Sequence, residues 1–247
     1  TFVEKPLSLR AAEAEYLIQV AGRMDRKLMV GHLLLYHPAV ERLKALVDSG
    51  ELGRIYYIYT QRVNLGTIRK DENAWWSLAP HDIAVILFLM GDIPQYVSAS
   101  GESYLRRNVE DVVFVNLRFQ NGAMAQVHVS WLDPHKIRRM TIVGEKKMVV
   151  FDDMDATEKI KIYDKGADIM KNDTSYVGSV TLRTGDIYIP KIDFIEPLKA
   201  ECIHFIECIT KGREPRTNGE NGLQVVRVLE AAQRSLKNGS KPIALRA

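Results

Sequence analysis

A mostly apolar run at residues 28–35 lies between two segments with helical periodicity, and few folds accommodate that order. A first helix, capped by Ser8, is predicted over residues 9–24, and Pro38 is predicted to open a second helix. A strand without alternating polar residues is typical of a parallel sheet that is buried on both faces. Helix, buried strand and helix therefore predict the end of a doubly wound α/β unit in residues 1–50.

From residue 51 onwards the sequence changes to a succession of strand patterns, which predicts a second domain over residues 51–247. Asn121-Gly122 predicts a tight hairpin, and a helix is predicted from Pro80 to Met90. Residues 165–180 show little periodicity and predict a loop. Strands are predicted near residues 55–59, 95–105, 111–119, 123–132, 139–144, 147–152 and 159–164. With two closing helices, they predict an α+β domain with a large, mainly antiparallel open sheet, covered by helices on one face.

The composition is that of a globular protein with little net charge. Lys and Arg total 34 against 31 Asp and Glu, so the formal net charge is +3. The densest basic run, Lys136, Arg138 and Arg139, is interpreted as a solvated strand end rather than a nucleic-acid surface. No apolar run approaches the ~20 residues of a membrane span. Cys202 and Cys208 fall on different faces of a predicted helix, which predicts free thiols and a reducing, cytoplasmic location.

Lys5 and His81 are two titratable residues that could meet in one pocket. Lys5 follows an apolar strand end, and the proline after it keeps its backbone extended. His81 is predicted at the start of an apolar helix, where a neutral imidazole can accept a proton because its reference pKa is ~6.5. Such a pair suits removal of a hydroxyl proton while a cofactor takes the hydride. Two alternatives stay open. Lys5 could simply be a solvated lysine at a strand end, and His81 could have only a structural role.

Arg62, Asn64 and Arg69 lie in a predicted loop before the His81 helix. Because arginine binds phosphate and carboxylate groups bidentately, this loop is predicted to form part of a substrate contact surface, with ordinary surface charge as the alternative. Asp82 points about 100° away from His81 on a helix and is interpreted as stabilising the helix N-terminus. A metal site built on these two residues is a weak alternative, since no other ligand lies at a telling spacing, and no metal is predicted.

Several motifs, in their order along the chain, resemble the glucose–fructose oxidoreductase/inositol dehydrogenase/MocA family of NAD(P)-dependent sugar dehydrogenases. The motifs are Glu4-Lys5-Pro6, Val30-Gly31-His32, Ser49-Gly50-Glu51-Leu52-Gly53, His81-Asp82-Ile83 and Glu196-Pro197-Leu198. Residues 62–66, 76–82 and 130–132 are most similar to the nucleotide-sugar branch, in which UDP-N-acetylglucosamine or its uronate is oxidised at carbon 3.

The resemblance implies a Rossmann domain, of which residues 1–50 are the C-terminal remnant, followed by a substrate-binding domain. It implies that the open sheet of this domain forms a homodimer or homotetramer. It implies NAD or NADP as the cofactor, held by Glu4, Lys5 and Pro6, with Lys5 and His81 as the catalytic residues. It implies a sugar or UDP-sugar substrate, in contact with Arg62, Asn64, Arg69, Trp76 and Asp82.

The sequence departs from the family pattern in two respects. Many members carry aspartates four residues before and three residues after the histidine, and here those positions are Ser77 and Ala84. No G-x-G-x-x-G turn for binding a pyrophosphate occurs in the 247 residues, so we expect them alone neither to bind NAD tightly nor to turn over. A non-catalytic module that binds a sugar nucleotide or forms a dimer is the alternative function.

Overall fold

The computed structural model describes residues 1–169, 180–193 and 195–245. The helices are α1 (Ala11–Arg23), α2 (Pro38–Asp48), α3 (Ala74–Met90), α4 (Pro197–Thr210) and α5 (Gly219–Lys237), with a short 3₁₀ helix at Leu33–Tyr36. The strands are β1 (Phe2–Val3), β2 (Met29–Val30), β3 (Ile55–Val63), β4 (Tyr96–Glu102), β5 (Val112–Arg118), β6 (Met124–Ser130), β7 (Ile137–Gly144), β8 (Met148–Asp152), β9 (Ile160–Ile169), β10 (Val180–Tyr188) and β11 (Ile243–Ala244). None of the helices in these ranges is long and apolar enough to cross a bilayer.

A nine-stranded sheet dominates the fold, in the order β10-β9-β8-β7-β3-β6-β5-β4-β11. Neighbouring strands are antiparallel except for β3 and β6, which pair in parallel. Along β5, Val113, Val115 and Leu117 are buried whereas Phe114 between them is exposed. The helices α3 and α5 pack against this buried face, and the opposite face is open. The predicted fold class, a large and mainly antiparallel open sheet with helices on one face, is confirmed.

The predicted long strand at residues 28–35 is wrong, because only Met29 and Val30 are extended. They pair in parallel with β1, and Val3 lies opposite Val30. The chain then turns, since the His32 N–H donates to the Val30 carbonyl at 2.7 Å and a 3₁₀ helix follows. The run is largely buried, as expected, but an apolar run without alternation does not distinguish a strand from a helical turn.

The two N-terminal helices are present, although the first begins later than predicted. Helix α1 starts at Ala11 after Arg10, and the Ser8 hydroxyl donates to the Arg10 carbonyl at 2.8 Å instead of capping the helix. Helix α2 begins at Pro38, as predicted, because proline is well suited to the first helical position.

Helix α3 begins six residues earlier than predicted and contains Pro80 in its interior. Asn73 caps it, since its side-chain oxygen accepts the Trp76 N–H at 3.1 Å. Gly91 ends the helix in the left-handed conformation at φ 66°, as predicted. His81 therefore lies about two turns inside α3 rather than at its N-terminus.

The strand predictions hold in the middle of the domain and fail towards residue 180. The hairpin at Asn121-Gly122 is confirmed, because Gly122 adopts φ 84° between β5 and β6. The predicted loop at residues 165–180 is wrong at both ends, where β9 extends to residue 169 and β10 begins at residue 180. Residues 170–179 of that prediction lie outside the described residues. Strand β10 was not predicted, because most of its residues are exposed and buried and exposed residues do not alternate along it.

Both closing helices are confirmed, and α4 carries Cys202 exposed and Cys208 buried, both as free thiols. Helix α1 packs on α5. Gly222 of α5 allows a close approach, since a Cβ there would lie 2.7 Å from the Val30 side chain. Residues 1–50 therefore pack directly on the C-terminal helix, and the division into domains at residue 50 stays a prediction.

Candidate active site

Lys5 follows β1 at the carboxyl end of the two-stranded parallel sheet. Its Nζ donates to the Ser77 carbonyl oxygen of α3 at 2.9 Å. Burial lowers the pKa of Lys5 against the attraction of Glu72, and the nearby guanidiniums of Arg69 and Arg62 lower it further. The ammonium is thus fixed in direction, and it is a stronger hydrogen-bond donor than an exposed lysine.

His81 lies on α3 one turn after Ser77 and lines the same cavity as Lys5. Its Nδ1 is buried and has no hydrogen-bond partner within the described residues. Burial lowers the pKa of His81 well below its usual value, and the positive charges of Arg62 and Lys5 add to this effect. The imidazole is therefore neutral at pH 7 and can accept a proton.

A buried ion pair joins β3 to α3 beside these two groups. The Nε and Nη2 atoms of Arg62 donate to the Asp82 carboxylate oxygens at 2.6 and 3.1 Å. The two side chains are only 9% and 7% exposed, so the pair is bidentate and largely desolvated. The expectations that Arg62 lies in a loop and that Asp82 serves a helix N-terminus are therefore wrong.

A cavity of about 380 Å³ gathers most of the predicted site. The predicted residues that line it are Lys5, Arg62, Asn64, Arg69 and His81. They come from the end of β1, from β3 and the segment after it, and from α3. The structure thus brings the predicted acid/base pair and the predicted substrate loop into one pocket.

Four predicted site residues do not line this cavity. The Trp76 indole Nε1 donates to Gln233 Oε1 at 3.1 Å, and the ring packs against the hydrophobic core. The Asp82 carboxylate is held in its ion pair. Glu4 is exposed and Pro6 half-buried where the chain leaves β1, so their contact with a cofactor stays a prediction.

The interpretation of Lys136, Arg138 and Arg139 as a solvated strand end is confirmed, since Lys136 and Arg139 are exposed and the Arg138 side chain is 41% exposed. Lys136 and Arg138 also line the cavity, which was not predicted. Arg138 is the second residue of β7 and shares one face of the strand with Met140, which is buried, and Lys136 directly precedes the strand. Arg139 lies on the opposite face and pairs with Asp152 at 2.7 Å. The sequence signal for this pair is the spacing of Lys136, Arg138 and Met140, which are two residues apart and end on a core residue.

His32 is a second buried imidazole near Lys5. Because Val3 lies opposite Val30, residues 5 and 32 follow matching positions of β1 and β2. The His32 side chain is almost fully buried, and neither ring nitrogen has a partner in the part of the chain that the structure describes. Burial and the charge of Lys5 lower the pKa of His32 to about 4. His32 is therefore neutral and adds no charge to the site.

The described residues contain no group of three or more His, Cys, Asp or Glu side chains that could hold a metal ion. Asp82 is occupied by its arginine, and the His37 Nδ1 accepts the Ala39 N–H at 3.0 Å as the cap of α2. Among the residues that the structure describes, His81 and Asp82 are not joined by a third such ligand, and the metal-dependent alternative stays untested.

Comparison with known proteins defines the class of oxidoreductase to which this fold and cavity belong. Residues 44–245 match the model of the oxidoreductase family GFO_IDH_MocA, C-terminal alpha/beta domain. The chain therefore belongs to the glucose–fructose oxidoreductase/inositol dehydrogenase/MocA family, as its motifs predicted.

The relatives that the chain matches are named for different substrates. Myo-inositol 2-dehydrogenase of Thermotoga maritima is 25% identical, over 96% of this chain and 70% of its own length. UDP-N-acetylglucosamine 3-dehydrogenase of Acidithiobacillus ferrooxidans is 26% identical, over 91% of this chain and 67% of its own length. The crystal structure of the WlbA dehydrogenase from Bordetella pertussis, in complex with NADH and UDP-GlcNAcA, shares the fold with a TM-score of 0.74 at 23% identity. That likeness covers 100% of this chain and 71% of that chain.

Removal of the Asp82 carboxylate should destabilise the protein strongly. Asp82→Asn leaves the Arg62 guanidinium buried without a counter-charge, and breaking a buried pair in this way costs about 3–5 kcal/mol of unfolding free energy. Glu72→Gln is the matched control, because it removes the partner of Arg69, which is 57% exposed, and should cost less than about 1 kcal/mol. Urea unfolding measures both, and equal losses would contradict the role given to the buried pair.

Proposed function

We propose that the protein is an NAD(P)-dependent dehydrogenase that oxidises a ring hydroxyl of a sugar or nucleotide-sugar to a ketone. The substrate that we favour is a UDP-N-acetylhexosamine, oxidised at carbon 3. The observation that supports this most strongly is that Lys5 and the neutral His81 line one cavity. Membership of the family supports the class of reaction, and the UDP-N-acetylglucosamine 3-dehydrogenase relative supports the class of substrate.

In this proposal Lys5 and His81 act on the same hydroxyl oxygen. His81 accepts the hydroxyl proton, and the Lys5 ammonium donates a hydrogen bond to the oxygen, where negative charge develops. Bound NAD(P) supplies the acceptor for the hydride from the same carbon. With its lowered pKa, His81 is a weak base and releases the proton readily, while the ammonium offsets this weakness by stabilising the developing alkoxide.

We propose that Glu4, Lys5 and Pro6 hold the nicotinamide end of the cofactor. They follow β1 at the carboxyl edge of the parallel strands β1 and β2, the edge at which cofactors bind in open α/β sheets. Gly31 at the end of β2 lies close to Glu4, since a Cβ there would lie 3.3 Å from a Glu4 carboxylate oxygen. These residues fit the nicotinamide end alone, because the sequence has no glycine-rich turn for the pyrophosphate.

Ser77 and Ala84, which stand in place of two family aspartates, affect the two catalytic residues differently. Lys5 keeps an orienting partner, because Ser77 offers its backbone carbonyl. The Nδ1 of His81 has no such partner within the described residues. We therefore propose that His81 works without an orienting carboxylate, as a weaker base than in members that carry the aspartates.

The unpartnered Nδ1 also favours a second candidate function, a non-catalytic module that binds a sugar nucleotide. In that case the cationic wall of the cavity binds the ligand and His81 contributes only to its shape. The two candidates differ in whether the loss of the His81 imidazole changes turnover.

We further propose that the open face of the nine-stranded sheet forms a homodimer or homotetramer interface. Large exposed side chains lie on neighbouring strands of this face: Tyr57, Tyr96, Phe114 and Met124. They alternate with buried residues of the same strands and so point away from α3 and α5. Exposed apolar patches of this kind mark interaction surfaces.

A charge placed on the open face should weaken self-association. Tyr57→Glu is expected to raise the dissociation constant of the oligomer at least about tenfold, since a buried carboxylate would be left unpaired at the interface. Tyr16→Glu on α1 is the control, because that tyrosine is also exposed but lies away from the sheet. Sedimentation equilibrium measures both variants, and a wild-type monomer would contradict the proposed interface.

His81→Ala should lower kcat for a UDP-N-acetylhexosamine about 10²–10⁴-fold, because it removes the proton acceptor. For the wild type, kcat/KM should stay level from pH 8 to about pH 6, since a His81 with a lowered pKa stays neutral where an ordinary histidine, with a pKa of ~6.5, would become charged. Steady-state kinetics with NAD(P) on the full product of the gene measures both.

Arg139→Ala, on the opposite face of β7, is the control for this experiment and should turn over normally. A His81→Ala protein with unchanged kcat would contradict the dehydrogenase proposal and favour the binding module.

A further inference from the structure

We propose that Arg62, Lys136 and Arg138 form a phosphate subsite, so that the substrate carries a doubly charged phosphate group, either a pyrophosphate diester or a phosphate monoester. The inference rests on the proposed function and deepens it, because it concerns which sugars the same cavity accepts. Neutral sugars and inositols are then poor ligands.

Arg62 and Arg138 stand directly opposite each other on the antiparallel strands β3 and β7. They share one face of the sheet with Thr60 and Met140, which also oppose each other and are buried. Like charges at directly opposed positions destabilise a sheet. Two arginines that line the same cavity are instead well suited to bind phosphate oxygens, which accept bidentate hydrogen bonds from arginine.

Each of these guanidiniums is held by a carboxylate that does not line the cavity. Asp82 accepts from Nε and Nη2 of Arg62, which leaves the Nη1 donors for a ligand. Asp153 lies 3.5 Å from Nη1 of Arg138. The carboxylates therefore orient the two arginines without placing negative charge on the wall.

The charges around the cavity leave an excess of positive charge that matches a dianion. Its wall contains five cationic side chains and no carboxylate: Lys5, Arg62, Arg69, Lys136 and Arg138. The three arginines have carboxylate partners within 3.5 Å. Within the described ranges, Lys5 and Lys136 form no ion pair, so two positive charges remain for the ligand to neutralise.

The exposure of these side chains indicates how such a ligand is oriented. The Arg62 side chain is 9% exposed and the Arg138 side chain 41%, and Lys136 is exposed at the start of β7. The phosphate subsite therefore extends from the buried part of the cavity towards solvent. A sugar attached to that phosphate directs its ring inward to Lys5 and His81 and any nucleoside outward.

Isothermal titration calorimetry on this chain tests the subsite with four ligands: UDP-N-acetylglucosamine, N-acetylglucosamine 1-phosphate, glucuronate and N-acetylglucosamine. We expect the two phosphorylated ligands to bind at least about tenfold more tightly than the other two, since hydrogen bonds between charged groups contribute that much or more. The ratio between the phosphorylated ligands shows whether one phosphate or the pyrophosphate is recognised.

Lys136→Ala and Arg138→Gln should each weaken the binding of both phosphorylated ligands about tenfold and leave N-acetylglucosamine unaffected. Arg139→Ala is the matched control, because it removes the same type of charge from the same strand but from the opposite face.

The subsite is rejected if Lys136→Ala and Arg138→Gln bind UDP-N-acetylglucosamine as tightly as Arg139→Ala does. It is also rejected as a phosphate site if glucuronate binds as tightly as the phosphorylated ligands, since the wall then selects a carboxylate. Either result overturns the subsite but leaves the proposed class of reaction standing, because the turnover of His81→Ala tests that reaction separately.

Discussion

The buried ion pair between Arg62 and Asp82 is the contact on which the geometry of the cavity depends. It joins the centre of the sheet to α3, and the same helix supplies the Ser77 carbonyl that fixes Lys5 and the imidazole of His81. A buried guanidinium without a counter-charge would destabilise this junction. This electrostatic contact therefore ties the helix that carries Ser77 and His81 to the sheet at the point where the cavity lies.

The positive charges around the cavity act on the pKa values of the ionisable residues that line it. Burial and neighbouring cations lower the pKa of Lys5 and of His81 together, because each positive charge disfavours the next. An anionic ligand would relieve this repulsion, so ligand binding and folding stability should be coupled. Burial, with the same positive field, lowers the pKa of His81 and keeps it neutral, which is the state that a proton acceptor requires.

Features set by a few adjacent residues were predictable from the sequence, and features set by distant partners were not. Asn121-Gly122 and Gly91 act through local backbone conformation, so the hairpin and the end of α3 were predicted correctly. That Lys136 and Arg138 line the cavity depends on β7 pairing with β3, which lies far away in sequence. Likewise the Trp76 indole donates a hydrogen bond to Gln233 of α5 and does not line the cavity. No local sequence pattern indicates this hydrogen bond.

A crystal structure with UDP-N-acetylglucosamine bound would show whether one cavity holds the sugar ring and the phosphates as described. We expect a ring hydroxyl oxygen within about 3.2 Å of both His81 Nε2 and Lys5 Nζ, and phosphate oxygens on Arg62 and Arg138. A phosphate against His81, or a ligand bound outside this cavity, would contradict the assignment of the site.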